Sequence, residues 1–259
     1  MMGARVAIRD RMRGWAVLAF WSLSLAAVAP PVFLLFLLVR RKGVPYAAAR
    51  AFIRLGLRLG GVRIEVIGLE RLDPHRTYLF LSNHQSLLDP LIQLVALKRD
   101  IAFVAKKELF RWPLLNPGLY WIDCAPIDRA NRERAIESLR QAAEKLKRGV
   151  SFLAYPEGTR TPDGTLLPFR KGVFVLALEA GVPIVPVTIR GAYEVMPKRP
   201  LRCRPGCVRV IIHDPIPTTA YRAETIEALM ADVRRAIVSA LVESPSAPVA
   251  SCCARSTSM

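Results

Sequence analysis

Residues 76–99, RTYLFLSNHQSLLDPLIQLVALKR, decide how this chain is read. The segment 76–82 is apolar without alternation, as in a short strand buried on both faces. Residues 89–99 carry a helical pattern, with Asp89 placed as N-cap and Pro90 at the first helical position. Asn83, His84 and Ser86 fall between the two. They lie where a strand ends and a helix begins, and open α/β sheets bind ligands outside the carboxyl ends of their strands. Two readings are open. A turn can bring the Asp89 carboxylate to one imidazole nitrogen of His84, leaving the other free as a general base for an alcohol. Alternatively, Asn83 and His84 only form a turn and Asp89 only caps a helix.

Outward from this stretch, strands and helices alternate. Strands are expected at 62–70, 101–109, 151–158, 182–191 and 207–216, the prolines of 182–191 suggesting an edge strand. Helices are expected at 129–149, 172–181 and 225–242, the first stopped by Gly149. Such alternation predicts an α/β sheet covered on both faces. The organisation expected is a membrane anchor and interfacial helix over 1–60, a catalytic domain over 61–243 and a disordered tail over 244–259.

The chain has 259 residues, with 38 Lys+Arg against 21 Asp+Glu, a net charge of +17 and a pI near 10.5. Such a balance calls for an anionic partner. Hydrophobic content of 52% and a mean hydropathy of +0.26 favour a membrane surface over nucleic acid, for which no recognised motif is present. Five cysteines, Cys124, Cys203, Cys207, Cys252 and Cys253, show no disulfide framework, so the catalytic domain is expected to face the reducing cytosol. Cys203 and Cys207 with His213 lack a fourth ligand, and no metal is expected.

Residues 15–39, WAVLAFWSLSLAAVAPPVFLLFLLV, carry no charge. As one helix they would be roughly 38 Å long, more than a bilayer core of about 30 Å. Pro30 and Pro31 interrupt the run, and both flanks are basic, so the asymmetry that orients a simple span is missing. A monotopic or re-entrant anchor is favoured over a single span. The next segment sets Arg50, Arg54 and Arg58 four apart among Phe52, Ile53, Leu55, Leu57 and Leu59, the pattern of an interfacial helix.

YPEGTR (155–160) follows another strand; its turn exposes backbone N–H groups and Arg160 adds a bidentate fork suited to phosphate. Lys106, Lys107 and Arg111 in AKKELFRWPLLNPG (105–118), with Arg170 and Lys171, add basic faces of the ordinary solvated kind. The denser loop 198–209 reads as a contact for lipid headgroups. Ser86 beside His84 and Asp89 raises a hydrolase reading, but no G-x-S-x-G elbow exists and Ser86 reads as a turn hydrogen-bonder.

Taken together and in order, these blocks resemble the glycerolipid acyltransferase family, in particular its 1-acyl-sn-glycerol-3-phosphate acyltransferases. NHQSLLD (83–89) is similar to the family's N-H-x-x-x-x-D signature, and KKELFRWPLLNPG with IDR (127–129) to its second block. YPEGTR is similar to F-P-E-G-T-R with Tyr155 in place of Phe, and FRKGVFVLALEAGVPIVPV to the stretch ending in V-P-V. The resemblance covers roughly residues 62 to 217. It implies a central mixed sheet flanked by helices, behind an N-terminal hydrophobic membrane-anchoring segment. It also implies transfer of a fatty acyl group from acyl-CoA or acyl carrier protein to the sn-2 hydroxyl of 1-acyl-sn-glycerol 3-phosphate, giving phosphatidic acid, with no cofactor. By the same resemblance His84 is the general base and Asp89 orients it. Glu157, Gly158, Thr159 and Arg160 bind the acceptor, Arg160 at its phosphate, with Lys106 and Arg111 as further contributors. The alternatives are an acyltransferase for another lysolipid, such as lyso-ornithine lipid, and a non-catalytic protein that binds anionic membranes.

Overall fold

Successive residues of a strand point to opposite faces of a sheet, and here both faces are apolar. In a computed structural model, residues 43–242 are described apart from 114, 115, 129, 130 and 199–201, together with residues 8, 10, 12–16, 19, 20, 23 and 31. Among them are strands β1 (Val62–Ile67), β2 (Leu79–Ser82), β3 (Ala102–Lys106), β4 (Ala125–Ile127), β5 (Phe152–Ala154), β6 (Ile184–Arg190) and β7 (Gly206–Ile212). They form one seven-stranded sheet in the order β1-β7-β6-β2-β5-β3-β4. The sheet is mixed: β7 runs antiparallel to β6, and the other neighbours are parallel.

The helices are α1 (Gly43–Leu59), α2 (Asp89–Ala96), α3 (Asn116–Trp121), α4 (Arg132–Lys147), α5 (Gly172–Ala180), α6 (Ala192–Val195) and α7 (Ile226–Val242). Leu79, Leu81, Phe152, Ala154 and Ile184 turn to one face and pack with α4, α5 and α7. Phe80, Leu153, Val185, Val187 and Ile189 turn to the other and pack with α1 and α2. Each buried Leu, Ile, Val or Phe side chain among them stabilises by about 1.5–3 kcal/mol. The central strands therefore read as continuous apolar runs because both of their faces are covered.

Three expectations need correction. The strand 182–191 was expected at an edge, yet β6 lies between β7 and β2. Pro186 is tolerated because its carbonyl accepts the His213 N–H, so its nitrogen faces β7 just beyond the last paired position, Val187–Ile212. The segment 101–109 is strand only to Lys106 and continues as a 3₁₀ turn, Lys107–Arg111. Asp89 is not the N-cap; Leu88 occupies that position, and Asp89 is the first helical residue with Pro90 behind it. β4 and α3 had no counterpart in the pattern, being three and six residues long with a proline in each.

α1 lies on the catalytic domain. Tyr46, Ile53 and Leu57 are buried in the same core as α2, and the Tyr46 hydroxyl donates to the Ile101 carbonyl at 3.1 Å. Arg50 pairs with Asp100 at 3.0 Å, whereas Arg54, Leu55, Arg58 and Leu59 face outward. Further upstream, Asp10 accepts from Arg204 at 2.6 Å and its carbonyl from the Cys203 N–H, and Phe20 stacks on Phe52. The basic loop 198–209 is thus partly engaged within the protein, with Arg209 also paired to Glu65 at 2.8 Å. Most of the run 15–39 and all of 244–259 lie outside the described residues. Among the described residues no helix is long and apolar enough to cross a membrane.

Phe152 sits at the centre of the sheet, fully buried between β2 and β3. Phe152→Ala is expected to lower unfolding free energy by about 3–5 kcal/mol, measured by chemical denaturation; a loss below about 1 kcal/mol would show that this core does not depend on the central strands.

Candidate active site

β2, β5 and β6 are parallel neighbours, so the loops leaving their carboxyl ends emerge side by side. Buried polar side chains gather there: Ser82, Asn83, Ser86, Asp89, Gln93, Glu157 and Thr161. Such groups are costly unless hydrogen-bonded, and their bonds define the site.

The loop from β2 to α2 turns back on itself. The Asp89 Oδ2 atom accepts from the backbone N–H of Gln85 and of Ser86, each at 2.7 Å, and lies 2.8 Å from His84 Nδ1. Two backbone donors fix that oxygen as an acceptor, which assigns the Nδ1–H tautomer to a neutral His84. Nε2 is then left carrying the lone pair, on a side chain 15% exposed. The other Asp89 oxygen, Oδ1, is buried without a hydrogen-bond partner among the described residues. One oxygen thus serves loop and imidazole together, and none caps α2. Ser86 behaves as a turn residue: its hydroxyl donates to the Met196 carbonyl at 2.8 Å and accepts from the Leu88 N–H at 3.1 Å.

Two side chains hold this loop against its neighbours. Asn83 acts as one more step of strand: its amide donates to the Ile189 carbonyl at 2.9 Å and accepts the Ile189 N–H at 2.7 Å. Glu157, 3% exposed, accepts the His84 N–H on Oε1 at 2.6 Å and the Leu167 N–H on Oε2 at 2.8 Å. Arg234 of α7 fixes the same turn by donating to the Leu167 carbonyl at 3.0 Å. Both Glu157 oxygens are therefore turned into the protein, bracing the histidine from behind. Burial lifts the Glu157 carboxyl to about 7, with the Asp89 charge adding to the rise and the two N–H bonds opposing it.

Gly158 adopts φ +71, a left-handed conformation that favours glycine, and a Cβ there would displace the Arg170 side chain, whose Nε lies 2.8 Å away. The Thr161 N–H donates to the His84 carbonyl at 2.9 Å, tying residues 158–161 to the histidine loop. Thr159 and Arg160 are half-buried. Burial pulls the Arg160 guanidinium below the usual arginine range, opposed by the Asp89 charge. The sequence reading did not single out Lys198, whose Nζ reaches Thr159 Oγ1 and the Arg160 carbonyl at 3.4 Å each. A second cation thus stands at the Arg160 backbone; only the fold brings it there, 38 residues away. Lys106 and Arg111 lie exposed at the end of β3, with Lys106 near Glu108 at 3.5 Å. Lys107 is turned instead to buried Asp128, at 2.6 Å.

A carboxylate-held imidazole with one free nitrogen, on a loop bonded to the segment that carries Arg160, is equipment for taking a proton from a hydroxyl on an anionic substrate. The chain belongs to the acyltransferase family, whose model, described as Acyltransferase, matches residues 63–190.

Among its relatives, the 1-acyl-sn-glycerol-3-phosphate acyltransferase alpha of Homo sapiens is 32% identical over 225 residues, covering 86% of this chain and 78% of that one. A chloroplastic 1-acyl-sn-glycerol-3-phosphate acyltransferase of Brassica napus is 36% identical over 156 residues, covering 60% of this chain and 45% of the relative. The chain thus spans about half the length of the first plant and algal relatives it matches. The crystal structure of the 1-acyl-sn-glycerophosphate acyltransferase PlsC from Thermotoga maritima superposes with a TM-score of 0.83 at 28% identity, over 93% of this chain and 98% of that one.

Glu157 gives a test of the brace. A carboxyl whose folded value lies above its unfolded value of about 4.5 contributes stability below 4.5 and loses it as pH rises through about 7. The wild type is expected to lose about 2–3 kcal/mol relative to Glu157→Gln between those limits. Denaturation of both proteins across this range checks it; parallel curves would show that Glu157 is not the group that titrates.

Proposed function

We propose that this protein transfers a fatty acyl group from the thioester of acyl-CoA or acyl carrier protein to the sn-2 hydroxyl of 1-acyl-sn-glycerol 3-phosphate, giving phosphatidic acid. The observation that carries the proposal is the 2.8 Å contact between His84 Nδ1 and Asp89 Oδ2, which leaves Nε2 free at the carboxyl end of the sheet. The names of the relatives supply the acceptor and the reaction class.

In the proposed mechanism His84 Nε2 takes the proton of the acceptor hydroxyl as its oxygen attacks the thioester carbonyl. The tetrahedral intermediate expels the thiolate, which recovers a proton from the imidazolium. Asp89 holds the ring in register and stabilises its transient positive charge. General-base action of this kind contributes about 10²–10⁴-fold. Arg160, with Lys198 beside it, binds the phosphate and sets the hydroxyl against Nε2. The route uses no acyl-enzyme, metal or cofactor.

We place the reaction at a membrane surface, with the catalytic domain on the cytoplasmic side. A net charge of +17, the charge-free run 15–39 and the outward Arg54, Leu55, Arg58 and Leu59 of α1 support the membrane surface.

Purified enzyme given lysophosphatidic acid and a series of acyl-CoAs, with free thiol followed, tests the reading. His84→Ala is expected to abolish thiol release while circular dichroism shows the fold retained; near-normal turnover would contradict the mechanism. Arg160→Ala is expected to raise the acceptor KM at least about tenfold with a smaller change in kcat. An unchanged KM would remove Arg160 from the phosphate site.

A further inference from the structure

Tyr155 leaves β5 directly beneath the histidine. Its ring lies on the His84 imidazole, with centroids 3.9 Å apart and planes within 15°. Its hydroxyl donates to Gln93 Oε1 at 3.2 Å. The Gln93 amide donates to Ser82 Oγ at 2.5 Å, and the Ser82 hydroxyl donates to the Asn83 carbonyl at 3.1 Å. Gln93 and Ser82 have no exposed surface. A relay of three side chains, from the β5 loop, α2 and β2, therefore ties the far end of the tyrosine to the backbone just before His84. The Asn83 carbonyl can only accept, and that fixes the direction of every bond back to the tyrosine hydroxyl.

Packing alone does not account for this arrangement. An aliphatic side chain would fill the space under the imidazole without placing a buried amide in α2 to receive a phenol. A buried amide left without partners costs about 1–3 kcal/mol, so the relay holds the ring at one height and tilt.

The face of an aromatic ring carries partial negative charge and attracts cations. As His84 takes a proton it becomes an imidazolium, with Asp89 Oδ2 in its plane and the Tyr155 face against its own face. We propose that Tyr155 is a positioning residue that fixes the plane of the His84 imidazole and stabilises the positive charge it gains during transfer, with Gln93 and Ser82 as its tether. This rests on the reading of His84 as general base.

The test compares kcat and acceptor KM, with lysophosphatidic acid and one acyl-CoA, in full-length enzyme carrying Tyr155→Phe, Tyr155→Leu or pentafluorophenylalanine at position 155. Phenylalanine keeps the face and loses only the tether, and is expected to retain kcat within about threefold of wild type. Pentafluorophenylalanine has nearly the same shape but reverses the charge of the face, and is expected to lower kcat about tenfold below the phenylalanine variant. Tyr155→Leu is expected to fall to a similar level, and KM to stay within about twofold throughout. A purely structural role would not separate the two ring variants. Equal kcat for phenylalanine and pentafluorophenylalanine would overturn the proposal, as would a rise in KM with kcat preserved. His84→Ala separates the two levels of the account. Activity in that variant removes His84 as base, whereas an inactive His84→Ala beside ring variants of equal kcat removes Tyr155 alone.

Discussion

Asp89 Oδ2 collects three donors: two consecutive backbone N–H groups and an imidazole nitrogen. The backbone pair belongs to the loop that must reverse between β2 and α2, and the imidazole belongs to the residue that opens that loop. A single oxygen therefore closes the turn and selects the histidine tautomer. Bonds from N–H groups to a charged carboxylate are among the stronger hydrogen bonds in proteins, roughly twice a neutral one. The loop and the reactive nitrogen consequently stand or fall together.

That turn would drift without its lateral supports. Asn83 carries the β2–β6 pairing one residue past the strand, and Glu157 fastens the His84 N–H to the loop after β5. Both act on the backbone around the histidine, while Tyr155 acts on its ring. Three adjacent parallel strands thus send side chains and backbone groups into the same few ångströms. This is the physical content of a site at the carboxyl end of a sheet: the strands are rigid, their ends are close, and the loops inherit that closeness.

Much of this was legible in residues 76–99. The apolar run gave β2, the helical pattern gave α2, and the break between them placed His84 at a strand end. The mixed order of the sheet was not legible from spacing, because which strands pair depends on contacts between distant segments, such as Val62 of β1 with Gly206 of β7. The role of Asn83 was hidden for the same reason, since its partner Ile189 lies 106 residues on. Asp89 looked like a helix cap because Asp-Pro has that chemistry; the carboxylate instead turns back toward residues 84–86. Glu157 stood in the block that the resemblance assigned to the acceptor. Nothing in its local sequence reveals that both oxygens are taken by backbone N–H groups. β4 and the 3₁₀ turn after β3 escaped because Pro126 and the short lengths leave no period to read.

The account comes down to the protonation pattern of one ring, which nitrogen-15 NMR of the histidine-labelled protein reads directly. Only three histidines are present, and exposed His75 is an internal reference. At a pH where the rings are neutral, His84 is predicted to be a single tautomer with the proton on Nδ1 and Nε2 bare, while His75 averages between forms. A proton on Nε2 of His84, or averaging like that of His75, would contradict the assignment of His84 as the base that Asp89 holds ready.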